Sequence, residues 1–152
     1  MNFDRRSLVA LATLGSITLL GGAFMFQFLG YAPCQMCLWQ RWPHAVAIVI
    51  GCAALSLGGM VPLSWLGMVA ALSTGGLGVY HTGVERAWWQ GPTSCTSGGG
   101  LDMNSLLSTE GSAIVLCDQV SWELLGLSMA SWNALASFVI AGIWVWAATR
   151  KA

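Results

Sequence analysis

The stretch Pro33-Cys34-Gln35-Met36-Cys37-Leu38-Trp39-Gln40-Arg41-Trp42-Pro43 lies between two long apolar segments. Its cysteines have the spacing C-x-x-C, so the two thiols can close into a small disulfide ring, and their exchange depends on thiolate character and access. Arg41 follows Cys37 by four residues, so the two side chains share a face if this is the first turn of a helix. A guanidinium there favours a thiolate. We therefore interpret the pair as a redox centre at a membrane surface.

The composition of the chain is that of an integral membrane protein. Of its 152 residues, 56% are hydrophobic and only 8% are charged, whereas a soluble domain carries about 25% charged residues. The formal net charge is zero, so no basic surface indicates nucleic-acid binding. Nine tryptophans are typical of the aromatic belts at membrane interfaces.

Four segments are long and apolar enough to be membrane spans, at about 8–29, 44–60, 63–81 and 131–149. The first runs without a charge for about 33 Å of helix, enough to cross a bilayer core of about 30 Å; a signal peptide is the alternative interpretation of this segment. Pro43 suits the N-terminus of the second helix, and Ser131 could cap the last. In that last helix, we expect Trp132 at one membrane–water interface, and Trp144 and Trp146 near the other.

Four spans predict a single integral domain over 1–152, an all-α up-down four-helix membrane bundle with loops at about 30–43 and 82–130. The basic residues at the two ends outnumber the one acid there, whereas the two loops carry two arginines and five acids. By the positive-inside rule both termini are cytoplasmic. The loops then face outward, where disulfides persist. Within the second loop, the apolar spacing of 101–107 predicts a short amphipathic helix, either on the membrane surface or over the loop's own cysteines.

Cys95 and Cys117 form a second pair of cysteines, in the second outer loop. Alone, they would indicate a stabilising disulfide worth about 3 kcal/mol. Beside a C-x-x-C on the same membrane face, they favour exchange between two dithiols. Four cysteines could also bind zinc, but the second pair lacks the C-x-x-C spacing of strong zinc motifs. Cys52 lies inside the second predicted span, so we expect an inert buried thiol that serves packing.

His81 and Glu85 lie one helical turn apart near the outer end of the third span. Ionisable groups at such depth usually face the bundle interior or water, which favours a polar pair facing a cofactor pocket. A solvated interfacial pair is the alternative. Most of the outer aromatics are expected in a belt, with a few lining an apolar pocket for a quinone-like ring; they are Tyr31, Trp39, Trp42, Trp88, Trp89 and Trp122.

Three stretches together resemble the bacterial disulfide bond formation protein B (DsbB) family. The first is Pro33-Cys34-Gln35-Met36-Cys37 with Gln40-Arg41, which is similar to the family's first periplasmic loop. The second is Tyr80-His81-Thr82-Gly83-Val84-Glu85 with Trp88-Trp89, Gly91-Pro92 and Cys95. The third is Cys117-Asp118 with Trp122, Leu125-Gly126-Leu127-Ser128-Met129 and Trp132-Asn133. With the four spans, the resemblance covers nearly the whole chain.

The resemblance implies a thiol:quinone oxidoreductase of the bacterial inner membrane that reoxidises a periplasmic DsbA-like partner. Cys95–Cys117 would be the disulfide presented to the reduced partner, and Cys117 would then exchange with Cys34. Cys37 would be left as a thiolate facing a quinone, either ubiquinone or menaquinone. Arg41 would hold the quinone oxygen or stabilise the thiolate. His81 and Glu85 are the remaining candidates for the quinone site.

Three other functions fit parts of the pattern. A quinone reductase of the vitamin K epoxide reductase type has its C-x-x-C late in the chain, whereas here it follows the first span. A small structural membrane subunit with two stabilising disulfides predicts that both pairs stay oxidised. A zinc-bound membrane module predicts stoichiometric metal and no thiol cycling.

Overall fold

The computed structural model describes residues 4–96 and 115–150, so the predicted helix at 101–107 lies outside the described residues. The described part is mostly helical. Its four long helices are α1 (Arg5–Phe28), α2 (Gln35–Ser56), α3 (Val61–Glu85) and α4 (Met129–Thr149). Two short strands, β1 (Glu123–Leu124) and β2 (Leu127–Ser128), pair antiparallel immediately before α4.

Three of the described helices, α1, α3 and α4, are long and apolar enough to cross a membrane. Many of their large apolar side chains are exposed, as expected where lipid rather than protein covers a helix. Helix α2 is not among the three, because its first turns carry the polar residues Gln35, Gln40, Arg41 and His44. Length and composition therefore support three of the four predicted spans.

Helix α2 begins at Gln35, so the prediction that Pro43 marks its N-terminus is wrong. Cys34 is the N-cap residue, and its sulfur accepts a hydrogen bond from the Cys37 backbone N–H at 3.2 Å. A side-chain acceptor at this position satisfies one of the free amides of the first turn. Pro43 lies inside the helix. The C-x-x-C is therefore the beginning of a helix rather than a loop.

Helix α4 is also capped earlier than predicted. Ser128 is the N-cap, and its hydroxyl oxygen accepts from the Ser131 backbone N–H at 3.2 Å. The β1–β2 hairpin ends at this serine, which sets the start of the helix. Ser131 lies in the first turn, so its predicted capping role is wrong.

Each long helix packs against two others: α1 against α2 and α4, and α3 against α2 and α4. The most extensive contact joins α3 and α4. Trp144 is fully buried in the main core cluster, which corrects its predicted interfacial position. Its ring occupies the space beside Gly67, where a Cβ would lie 2.6 Å from the indole. Trp146, in contrast, is 43% exposed.

Cys52 is exposed on α2, so the prediction of a buried packing thiol is wrong. Its neighbour Gly51 is buried and faces Thr13 of α1. One residue further along a helix the side chain has turned by about 100°, which carries Cys52 away from that contact. Apolar surroundings in the sequence did not distinguish the lipid-facing side from the core-facing side.

Candidate redox site

The two cysteines of the C-x-x-C lie against each other at the start of α2. Their sulfurs are 2.6 Å apart, and both thiols are free. Cys34 is buried and Cys37 is half-buried. Because the helical turn holds the pair in contact, a disulfide can form with little movement of the backbone.

Hydrogen bonding within the pair makes the two thiols unequal. It raises the pKa of Cys34, which burial raises further, and it lowers the pKa of Cys37. The physical reason is that a Cys34 S–H donating to Cys37 stabilises the Cys37 thiolate. The positive charge of Arg41 adds a smaller effect in the same direction on Cys37. Cys37 is therefore the nucleophilic sulfur of the reduced pair.

Cys95 and Cys117 are joined in a disulfide, with their Cα atoms 5.3 Å apart. Both are buried in one apolar cluster with Cys34, Met36 and Val84. Cys37 packs against this cluster. The fold thus brings together the four cysteines that the sequence singled out.

The His81 ring lies between the two cysteine pairs. Its Nε2 is 3.6 Å from the Cys34 sulfur, and the backbone of Cys117 lies close to the ring. Glu85 Oε1 lies 3.8 Å from the same nitrogen. Glu85 also accepts a hydrogen bond from the Ser128 hydroxyl. The helical spacing predicted from the sequence therefore places His81 at the sulfurs and Glu85 behind it.

A cavity of about 320 Å³ opens beside Cys37. Its wall is mainly apolar and includes Leu19, Phe26, Trp122 and Met129. Its polar lining includes Cys37, Gln40, Arg41, His44, His81 and Asn133. An apolar pocket with a few convergent polar groups is the usual form of a small-molecule site.

Arg41 enters this cavity from α2 and is held by α1. Its guanidinium donates to Gln27 Oε1 at 2.7 Å and to the Ala23 carbonyl at 3.3 Å, and it lies over the Phe24 ring at 4.9 Å. The Arg41 Nε–H is buried and finds no hydrogen-bond partner among the described residues. A buried donor of this kind is costly unless a ligand accepts from it.

The outer aromatics fall into two groups, one that lines the cavity and one that is exposed. Tyr31 and Trp122 line the cavity, and Trp122 packs on Phe26 with ring centroids 5.2 Å apart. Trp39, Trp42, Trp88 and Trp89 are exposed, as belt residues would be. Trp89 stacks on Tyr80 at the end of α3.

Several polar residues of the site were missed in the sequence. Gln40, His44, Thr74 and Asn133 form a buried hydrogen-bond network between α2, α3 and α4. The available signal was a polar residue within an apolar segment, since such residues usually face the bundle interior. This signal applies to His44, Thr74 and Asn133, which lie in three different predicted spans, whereas Gln40 lies in the predicted first loop. Only the tertiary fold brings the four side chains together.

The side chains of Cys34, Cys37 and His81 also place three potential metal ligands within 4.8 Å of one another. Gln40 donates its amide N–H to His81 Nδ1 at 2.9 Å. The neutral ring then carries its hydrogen on Nε2, the nitrogen that faces the sulfurs. The ring is therefore oriented as a donor to sulfur, which favours a dithiol centre over a zinc site.

These features define a helical membrane protein with a dithiol, a neighbouring disulfide and an adjoining apolar cavity. Comparison with known proteins gives the family. Residues 5–147 match the family of disulfide bond formation protein DsbB, and the chain belongs to that family. It is accordingly a disulfide-generating oxidoreductase of the membrane.

Similar proteins carry the same description. The chain is 29% identical to disulfide bond formation protein B of a Polaromonas species, with 97% of this chain and 92% of the relative covered. It is 33% identical to that of Dechloromonas aromatica, over 91% and 87% of the two chains. It is 30% identical to disulfide bond formation protein B 2 of Pseudomonas aeruginosa, over 90% and 85%. No solved structure matches the chain significantly.

Proposed function

We propose that the protein reoxidises a periplasmic DsbA-like dithiol oxidase and passes the electrons to a quinone of the bacterial inner membrane. The observation that carries the proposal is the position of Cys37, which touches Cys34 on one side and lines the apolar cavity on the other. Electrons that arrive at the thiols can leave only if an acceptor reaches one of them. The half-buried Cys37 is the sulfur that meets this requirement.

The exchange proceeds between the two cysteine pairs. The partner's thiolate attacks Cys95, which breaks Cys95–Cys117 and leaves the electron pair on Cys117. Cys117 attacks Cys34 and displaces Cys37 as a thiolate, so the Cys34–Cys117 bond replaces Cys34–Cys37. The partner's second thiol releases Cys95, and Cys95 then attacks Cys117, which re-forms the outer disulfide and leaves Cys34 and Cys37 reduced. The shared cluster supports this order because it holds Cys34 with both outer cysteines.

The cavity suits a quinone ring because its wall is mainly apolar and its polar lining includes Cys37, Arg41 and His81. When bound, a quinone supplies a two-electron acceptor that returns the Cys34–Cys37 pair to the disulfide. The Arg41 Nε–H, which has no hydrogen-bond partner within 4–96 and 115–150, would donate to a quinone oxygen. His81 lines the same cavity, whereas Glu85 acts on the His81 ring from behind.

The proposed arrangement in the membrane has four spans, with α2 crossing as well as α1, α3 and α4. Both termini lie in the cytoplasm, and the segments at about 30–43 and 82–130 lie in the periplasm. Disulfides persist on that side, and the disulfide-bonded pair belongs to the second of these segments.

The experiment that tests this function is quinone reduction by the purified protein, with reduced DsbA as the electron donor. Cys37→Ser and Cys95→Ser are expected to abolish turnover, whereas Cys52→Ser, a matched change at an exposed thiol outside the site, is expected to retain it. Cys95→Ser should keep some activity toward a small dithiol, because the inner pair remains intact. If the wild type shows no turnover and all four cysteines stay oxidised, the two disulfides are structural and the proposal is wrong.

A further inference from the structure

A chain of four hydrogen bonds runs along the cavity wall from His44 to the Cys34 sulfur. His44 Nε2 bonds to Asn133 Oδ1 at 2.9 Å, and Asn133 Nδ2 donates to Gln40 Oε1 at 2.8 Å. Gln40 Nε2 donates to His81 Nδ1 at 2.9 Å, and His81 Nε2 lies 3.6 Å from Cys34 Sγ. Every side chain in it is buried or half-buried, so each donor needs its acceptor.

Two backbone carbonyls determine the direction of this chain. The Met36 carbonyl can only accept, and Gln40 Nε2 faces it at 3.2 Å, so the nitrogen of this amide is identified. The Gln40 carbonyl accepts from Thr74 Oγ1 at 3.1 Å. The Thr74 oxygen must therefore accept from Asn133 Nδ2, which lies 3.3 Å away. Both amides are thus oriented independently of the histidines.

The amide orientations decide the tautomers of both histidines. His81 Nδ1 accepts from Gln40, so its neutral ring carries hydrogen on Nε2, which faces Cys34 Sγ and Glu85 Oε1. His44 Nε2 donates to Asn133, so His44 Nδ1 bears a lone pair. That atom is buried and has no partner among the described residues. The chain of donors therefore runs from His44 toward the sulfur.

We propose that Gln40 is a positioning residue that holds His81 with its N–H toward Cys34, so that this ring stabilises the Cys34 thiolate when Cys95 displaces it. The inference rests on the proposed function, since it concerns the resolution of the Cys34–Cys117 bond. In that step the Cys95–Cys117 bond forms, the Cys34–Cys117 bond breaks and the electron pair stays on Cys34. A thiol with a raised pKa is a poor leaving group, and contact with Cys37 raises the pKa of Cys34. The His81 N–H would stabilise the Cys34 thiolate and so make Cys34 a better leaving group.

The tautomer is measured directly by nitrogen NMR of the full chain, labelled with ¹⁵N-histidine and purified without a histidine tag. The chain contains only two histidines, so two rings are observed. At a pH where both are neutral, we expect His81 with hydrogen on Nε2 and a bare Nδ1. At a pH where the introduced carboxyl group is ionised, Gln40→Glu should place hydrogen on His81 Nδ1, because a carboxylate oxygen only accepts. Gln90→Glu, the same change at an exposed residue beyond α3, should leave both rings unchanged.

The consequence for exchange is measured by acid quenching after the oxidised protein is mixed with reduced DsbA. His81→Gln can place an amide N–H near the position of Nε2, whereas the shorter His81→Asn cannot. We expect the Cys34–Cys117 species to resolve about tenfold more slowly in His81→Asn than in His81→Gln, as expected for loss of one hydrogen bond to a charged group. Equal rates of resolution in His81→Asn and His81→Gln would overturn the proposal. So would an NMR spectrum in which wild-type His81 carries hydrogen on Nδ1, or one in which His81 Nδ1 stays bare beside an ionised carboxylate in Gln40→Glu. The NMR result needs neither partner nor quinone, so its failure is distinct from failure of the proposed relay.

Discussion

The two thiols of the C-x-x-C differ in pKa and in exposure. The hydrogen bond between them raises the pKa of one and lowers that of the other. Cys34 is buried beside His81, whereas Cys37 is half-buried and lines the cavity. The division is chemically useful, because Cys37 can react with a ligand in the cavity while Cys34 exchanges with the outer cysteines. The C-x-x-C spacing alone does not distinguish the two thiols. The packing around them makes their exposure and reactivity different.

The lowered pKa of Cys37 predicts its reactivity in the reduced protein. As pH falls below the ordinary cysteine pKa of about 8.5, Cys37 should still react with iodoacetamide, because its thiolate persists until its own lower pKa is reached. Cys34, whose pKa is raised, should react only at higher pH. Mass spectrometry of the alkylated peptides over a pH series measures both midpoints. A Cys37 midpoint at or above that of an unstructured cysteine peptide would contradict the assignment.

At the scale of elements, close approach of α3 and α4 depends on small residues. Gly67 of α3 lies against the fully buried ring of Trp144, in the most extensive helix contact of the protein. The indole is rigid and enclosed, so it cannot move aside as the end of a flexible side chain would. This contact helps to hold the two helices that carry His81 and Asn133 in register.

We therefore predict that Gly67→Ala lowers the free energy of unfolding by about 1–3 kcal/mol, the usual cost of overpacking. The added Cβ would lie 2.6 Å from the Trp144 ring. Gly76→Ala is the matched control on the same helix, because no atom lies within 4 Å of its Cβ position. Thermal or denaturant unfolding of the two variants in the same detergent compares them. Equal stabilities would show that α3 and α4 can separate without cost.

At the scale of the whole molecule, the cysteines of two separate segments meet in one cluster. Cys34 precedes α2, and Cys95 and Cys117 lie between α3 and α4. Exchange between them requires both segments to lie on the same side of the membrane. The topology is therefore part of the proposed mechanism.

Alkaline phosphatase fusions, which are active only outside the cytoplasm, test this topology. We expect activity for fusions after Tyr31 and Gly91, and none for fusions after Gly59 and at the C-terminus. The expectation follows from four spans with the basic ends inside. Activity after Gly59 would mean that α2 does not cross the membrane, and it would leave the two cysteine segments on opposite sides.

The sequence alone determined the membrane class, the four helices, the cysteines and the family, because apolar run length, C-x-x-C spacing and combined motifs are local signals. It also placed His81 and Glu85 on one helical face. The tertiary structure decided which side of each helix faces the core, and so it moved Cys52 outward and Trp144 inward. It also joined Gln40, His44, Thr74 and Asn133 from three helices. Such partners lie far apart in the chain, and only packing sets their distances.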